Sequence, residues 1–106
     1  MDSPPTEKEF SQHLNTKYRV NIDAPKPIEL ELVDVKSYVN KNNPAEQGGM
    51  ERFSVYFLGP DDILLPQGTY RLTHELMGDV DLFLVPIKQE EHAFRYEAIF
   101  NYFIQK

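Results

Sequence analysis

The sequence predicts a mainly β domain: about six antiparallel strands forming a small barrel or rolled sheet, with one short N-terminal helix. Three observations predict it. Apolar and polar residues alternate in six separate segments, which is the period of half-buried strands. Pro, Gly, Asn and Asp punctuate the gaps, and the gaps suit turns and hairpins rather than crossover helices. One helix-start signature precedes the first strand. A single sheet of six strands must bury one face, so it closes on itself or folds over.

The elements follow in order. Residues 1–5 read as a disordered lead and 6–106 as one domain. Thr6-Glu7-Lys8-Glu9 fits a capping box. Phe10 and Leu14, four apart, share a face, so a helix is expected over 7–14, docked by those two side chains. Tyr18, Val20 and Ile22 then alternate with Arg19 and Asn21 as a first strand, which Pro25 and Pro27 end. Ile28 to Leu32 alternates strictly, after which the apolar set shifts to Val33, Val35 and Val39, with Tyr38 on the other face. Such a slip predicts a β-bulge near Leu32-Val33.

Lys41 to Met50 reads as the longest loop. Phe53, Val55 and Phe57 make the next apolar face, and Gly59-Pro60-Asp61-Asp62 ends that strand by turn chemistry. Leu65-Pro66-Gln67-Gly68 is a further turn, with Gly68 expected at positive φ. Tyr70, Leu72 and His74 share a parity, and Met77-Gly78-Asp79 is a hairpin. Val80 to Ile87 is apolar on both faces and is expected to be central. After a turn at Gln89 to His92, Phe94, Tyr96, Ala98, Phe100 and Tyr102 alternate with Arg95, Glu97 and Asn101.

Composition bounds the function. A chain of 106 residues buries about two-thirds of its unfolded surface, enough for one core. Seven Phe and six Tyr supply large buried areas. The absence of cysteine excludes disulfides, thiolate metal sites and cysteine nucleophiles, and leans toward the cytoplasm. Met1 to Pro5 lacks the basic and apolar regions of a signal peptide. The longest apolar run, Leu82 to Ile87, falls far short of the ~20 residues of a membrane span. With 17 acidic against 11 basic residues the net charge is −6, and the basic residues are dispersed. Nucleic-acid binding, which needs clustered Lys and Arg, is not expected.

The run Leu65-Pro66-Gln67-Gly68-Thr69-Tyr70-Arg71-Leu72 continues into Gly78-Asp79-Val80-Asp81-Leu82-Phe83-Leu84-Val85-Pro86 and Arg95-Tyr96-Glu97-Ala98-Ile99-Phe100-Asn101. Together with Phe10, the Ile28 to Val35 strand and Phe53 to Pro60, this pattern resembles a family of small bacterial β-rich domains of unknown function. The resemblance spans about residues 9–101. It implies a compact bacterial domain and carries no catalytic residues across.

The candidate residues are few. His13, His74 and His92 lack the spacing of a zinc site, and no Asp-x-Asp-x-Asp-Gly loop exists for calcium. No cofactor is expected. The serines lack a nucleophile-elbow context, and Gly48-Gly49 is no phosphate loop. Tyr70, His74 and Tyr96 share inward parity and would line a ligand pocket if the barrel held one. Arg71, Arg95 and Glu97 are candidates for an outer interaction surface. The favoured expectation is a non-catalytic interaction or accessory module binding a protein partner or itself. A small-ligand-binding barrel is the alternative, and a small enzyme the third.

Overall fold

A computed structural model describes residues 5–38 and 50–103. Its elements are helix α1 (Glu7–Ser11) and strands β1 (Lys17–Val20), β2 (Glu29–Ser37), β3 (Met50–Pro60), β4 (Gly68–His74), β5 (Gly78–Glu90) and β6 (Ala93–Phe103). The strands close into a barrel in the order β1-β2-β3-β6-β5-β4, and every pairing is antiparallel. Closure leaves each strand with two neighbours, which protects edges from foreign pairing.

The capping box forms as the sequence predicts. Glu9 N–H donates to Thr6 Oγ1 at 3.1 Å, and Thr6 N–H donates to Glu9 Oε1 at 2.9 Å. The helix is shorter than expected, because the chain leaves helical geometry and Asn15 turns it at φ 66°. Asn tolerates that left-handed conformation better than most residues. Leu14 is consequently 38% exposed, and Phe10 alone docks the helix. Ile22 also falls outside β1 and stays exposed.

The bulge in β2 is present: Leu32 pairs with Phe57 but Asp34 with Tyr56, so Val33 is the extra residue. The loop expected at Lys41 to Met50 lies outside the described residues except for Met50, which begins β3. So do Val39 and residues 1–4 of the expected lead. Gly68 corrects the sequence reading. It opens β4, paired with Leu84, and among the described residues Gly78 is the glycine at positive φ. A strand start needs no left-handed residue, whereas the return into β5 after the 75–77 turn does. The turn after β5 is also tighter than expected, since β5 runs to Glu90 and β6 starts at Ala93.

The inner face carries Tyr18, Leu30, Leu32, Phe53, Val55, Phe57, Leu72, Leu82, Leu84, Tyr96 and Ala98, each at most 2% exposed. The two ends are covered differently. At one, α1 sets Phe10 against Tyr18, Phe53 and Phe100, with ring centroids 5.5–6.4 Å apart. At the other, residues 61–67 connect β3 to β4, which are not neighbours, and bury Leu65. The ion pair Lys26–Asp62 ties this segment to the β1–β2 loop.

The β5 strand changes neighbours along its length. Residues 78–84 pair with β4, and residues 85–90 pair with β6. The β5–β6 ladder therefore ends at Val85↔Glu97. β5, expected to be central, lies between β4 and β6, but its outer face stays open: Phe83 is 50% and Ile87 43% exposed.

Candidate functional site

The three inward candidates all lie on the predicted parity, but they serve two different ends. Tyr96 is fully buried, and its hydroxyl accepts from Leu65 N–H at 2.9 Å. Tyr70 is half-buried and donates to the Pro66 carbonyl at 2.5 Å. These tyrosines thus hold adjacent residues of the 61–67 segment. Burial raises the Tyr96 phenol above its ordinary value, partly offset by the Leu65 amide.

His74 sits at the helix end. Its Nδ1 accepts from Leu76 N–H at 3.0 Å and Met77 N–H at 3.1 Å. Both donors are backbone amides, so Nδ1 carries no proton. The proton is on Nε2, which donates to Thr16 Oγ1 at 2.9 Å. Thr16 Oγ1 donates in turn to the His13 carbonyl at 2.5 Å. Tyr18 packs its ring 4.4 Å from the His74 ring, and its hydroxyl donates to Met77 Sδ at 3.0 Å. Burial first, and then the nearby His13, lower the His74 value; Glu75 opposes them.

This arrangement decides a chemical question. A threonine hydroxyl 2.9 Å from a histidine nitrogen has the outline of a nucleophile and its base. A base must present a lone pair to the hydroxyl. Here the facing nitrogen is the protonated one, and the lone pair on Nδ1 is already occupied by two amides. Thr16 is a structural acceptor in a relay, not an activated nucleophile. The relay lines one wall of a cleft of about 450 Å³, bounded also by Lys17, Arg19, Glu29 and Glu75. No group of three His, Asp or Glu residues among the described residues is placed to hold a metal ion.

The outward candidates separate into two places. Arg71 and Asp81 face each other across β4 and β5 and form a two-pronged pair at 2.9 and 3.2 Å. Each holds the other in its charged form: the Arg71 value is raised and the Asp81 value lowered. Two strands from β4, on β6, Arg95 bonds Glu90 at 2.5 Å and lies 5.9 Å over the Tyr56 ring. Glu97 accepts from Tyr56 Oη at 2.9 Å. The Tyr56 hydrogen bond with Tyr38, its burial and its bond to Glu97 raise the Tyr56 phenol. Arg95 and Glu97 thus meet around Tyr56, while Arg71 stands apart with Asp81.

The sequence reading did not single out Phe83 and Ile99, which the structure leaves 50% and 65% exposed. Each lies two residues beyond the last β5–β6 pair, Val85↔Glu97, on its own strand. Alternation alone placed Ile99 outward. What it could not show is that both flank the point where the ladder stops.

Residues 5–100 match a family described as a domain of unknown function, DUF6916. The chain belongs to that family. No curated protein and no solved structure matches it. The DUF6916 match covers the helix, β1 to β5, β6 as far as Phe100, and both sets of candidate residues. No helix among the described residues is long and apolar enough to cross a membrane.

Proposed function

We propose that this DUF6916 chain is a non-catalytic interaction module, which binds a protein partner or itself through the outer surface of β5 and β6. The observation that carries the reading is the exposure of Phe83 and Ile99 on neighbouring strands of a barrel whose inner face is filled. Covering the wet half of Phe83 recovers on the order of 1 kcal/mol. Exposed apolar side chains on neighbouring strands are a common form of contact surface.

Two supports come from the inner candidates. Tyr70, His74 and Tyr96 spend their polar atoms on the chain's own backbone and on Thr16, which fits a structural role better than a ligand pocket. The protonated Nε2 of His74 argues against Thr16 as a nucleophile. The net charge of −6 favours a protein over a nucleic-acid partner, and the cysteine-free composition suits the cytoplasm.

The test compares immobilised wild-type protein with a Phe83→Lys, Ile99→Lys double variant. Both are exposed to lysate of the cells that encode the protein, and their oligomeric states are measured in parallel. The wild type is expected to retain a partner or itself, and the variant to lose it. Identical retention and identical oligomeric state for the two forms would overturn the reading.

A further inference from the structure

We infer that His74 makes the β4–β5 connection an acid-released latch: protonation of its ring frees residues 75–77, while the strands stay closed and helix α1 stays docked. The device is independent of the outer surface of β5 and β6 proposed above.

Geometry carries the inference. His74 ends β4 and is 4% exposed. Its ring joins three segments. Nδ1 accepts from the Leu76 and Met77 amides, Nε2 donates to Thr16 at the entry to β1, and the ring packs 4.4 Å from Tyr18 and 4.8 Å from His13. A neutral ring serves all of these contacts. A protonated ring is a donor at both nitrogens. It keeps Thr16 and loses both amides at once, because N–H then faces N–H. The two amides must find water instead, and the turn has to move outward to reach it.

The rest of the helix end does not depend on that lone pair. Asn15 N–H donates to the Leu32 carbonyl at 2.7 Å, and Leu32 N–H to the Thr16 carbonyl at 3.0 Å. Phe10 is fully buried among Tyr18, Phe53 and Phe100. The β4–β5 ladder closes behind the turn, at His74↔Gly78. Within the turn, Leu76 is already 75% exposed, and Tyr18 ties Met77 through a thioether, a weak acceptor. Moving residues 75–77 therefore uncovers little apolar surface, whereas moving α1 or a strand uncovers much.

The groups around the ring set the sign. Burial first, and then His13 from the α1–β1 connection, hold the latched ring neutral; Glu75 in the turn opposes them. Lys17 and Arg19 of β1 and Glu29 of β2 line the same cleft. With Glu75 they give two charges of each sign, so His13 tips the balance. A released His74 is hydrated and regains an ordinary value near 6.5. The released form thus binds the proton more tightly, and acid favours it by up to about tenfold per pH unit below about 6.5.

Methionine-methyl NMR from pH 7.5 to 5 tests the inference, with the Met77 signal assigned through Met77→Leu. The Met77 methyl is expected to move toward the position of a hydrated methionine, with the midpoint of the His74 ring protons and of the Leu76 and Met77 amides. The Asn15 and Leu65 amides, held by Leu32 and Tyr96, should not move with it. His74→Asn offers the two amides a side-chain carbonyl with no proton to gain, so its turn should stay closed across the range. His13→Gln removes the neighbouring charge and keeps the backbone carbonyl that Thr16 uses, so it should raise the midpoint. It carries the test if His74→Asn does not fold. A Met77 methyl that stays in place down to pH 5 overturns the inference. So does one that moves equally in His74→Asn, or whose midpoint is unchanged in His13→Gln. Collapse of the whole spectrum in step with the Met77 signal also overturns it, because acid would then unfold the barrel rather than release a turn.

Discussion

At one end of the barrel a chain segment lies across the opening, and at the other a short helix does. The crossing segment buries Leu65 and is held by the Tyr70 hydroxyl and by the Tyr96 hydroxyl, which burial pushes above its ordinary value. The helix end buries Phe10 against three aromatic rings, but beside it the chain is keyed by His74, which must stay neutral to accept two amides. Apolar burial is indifferent to pH, whereas a histidine lock is not. Two ends with equally buried apolar plugs should therefore differ little in their response to cavity-forming substitutions and much in their response to acid.

The largest effect should come from the plugs themselves. Phe10→Ala is expected to cost about 3–5 kcal/mol and Leu65→Ala about 2–5 kcal/mol, from a total of about 5–15 kcal/mol for a domain of this size. Urea denaturation measures both. If Leu65→Ala costs less than about 1 kcal/mol, the crossing segment does not seal its end and the comparison of two plugs fails.

Two glycines sharpen the comparison next. A Cβ on Gly59 would lie 2.6 Å from Leu30 Cδ2 and 3.2 Å from Tyr96 Cε2, both side chains fully buried. Gly59→Val is expected to cost about 1–3 kcal/mol through overpacking. A Cβ on Gly68 meets only Tyr70 Cε2, at 3.9 Å. Gly68→Val should cost under about 1 kcal/mol, since a strand start accepts a β-branched residue. Equal melting shifts for the two would show that Leu30 and Tyr96 can move aside.

Much of this fold was legible in the sequence because alternation reports directly on a closed sheet. The parity of Phe53, Val55, Phe57, Tyr96 and Ala98 named buried residues, and the phase slip at Val33 named the bulge. The misses share a cause. Gly59 looks like turn chemistry in sequence, yet what requires it is the approach of Leu30 and Tyr96 from other strands. Gly68 follows a proline in a turn-like run, but the run is a crossing segment. The His74 relay depends on Thr16, 58 residues away, and no local pattern links them. Arg71, Arg95 and Glu97 share the outer face in sequence, but β5 lies between their strands and supplies Asp81 to Arg71. Phe83 read as the second face of a central strand, but that face is the outside of a closed barrel, where it stays exposed.

A smaller effect isolates the crossing end. Tyr96→Phe removes the acceptor for the Leu65 amide while keeping the ring, leaving a buried donor unmet. The expected cost is about 1–3 kcal/mol. The loss should be the same at pH 7.5 and pH 5.5, since neither group titrates in that interval. A loss that changes across this range would mean that Tyr96 is coupled to the histidine end.

The smallest effect is a slope, and it belongs to the helix end alone. His74 has a folded-state value lowered from 6.5, so the folded protein keeps it neutral where the unfolded chain takes up a proton. Above about pH 6.5 both states are neutral and the group contributes no pH dependence. Below it the unfolded state binds more protons, and stability falls with pH by at most about 1.4 kcal/mol per unit until the lowered folded value is reached. Protonation there takes the Nδ1 lone pair from the Leu76 and Met77 amides and sets a cation near His13. His74→Gln should be less stable than wild type at pH 7.5, because its amide cannot fully replace the relay. Its stability curve should lack the His74 slope, so the two curves converge as pH falls below about 6.5. The carboxylates Asp62, Asp81 and Glu90, whose values are lowered by Lys26, Arg71 and Arg95, act in both proteins and cancel in the difference. Denaturation midpoints at half-unit steps from pH 7.5 to 5 measure the difference. Parallel curves would show that the relay does not distinguish the two ends, and that His74 can be protonated without loss of its amide partners.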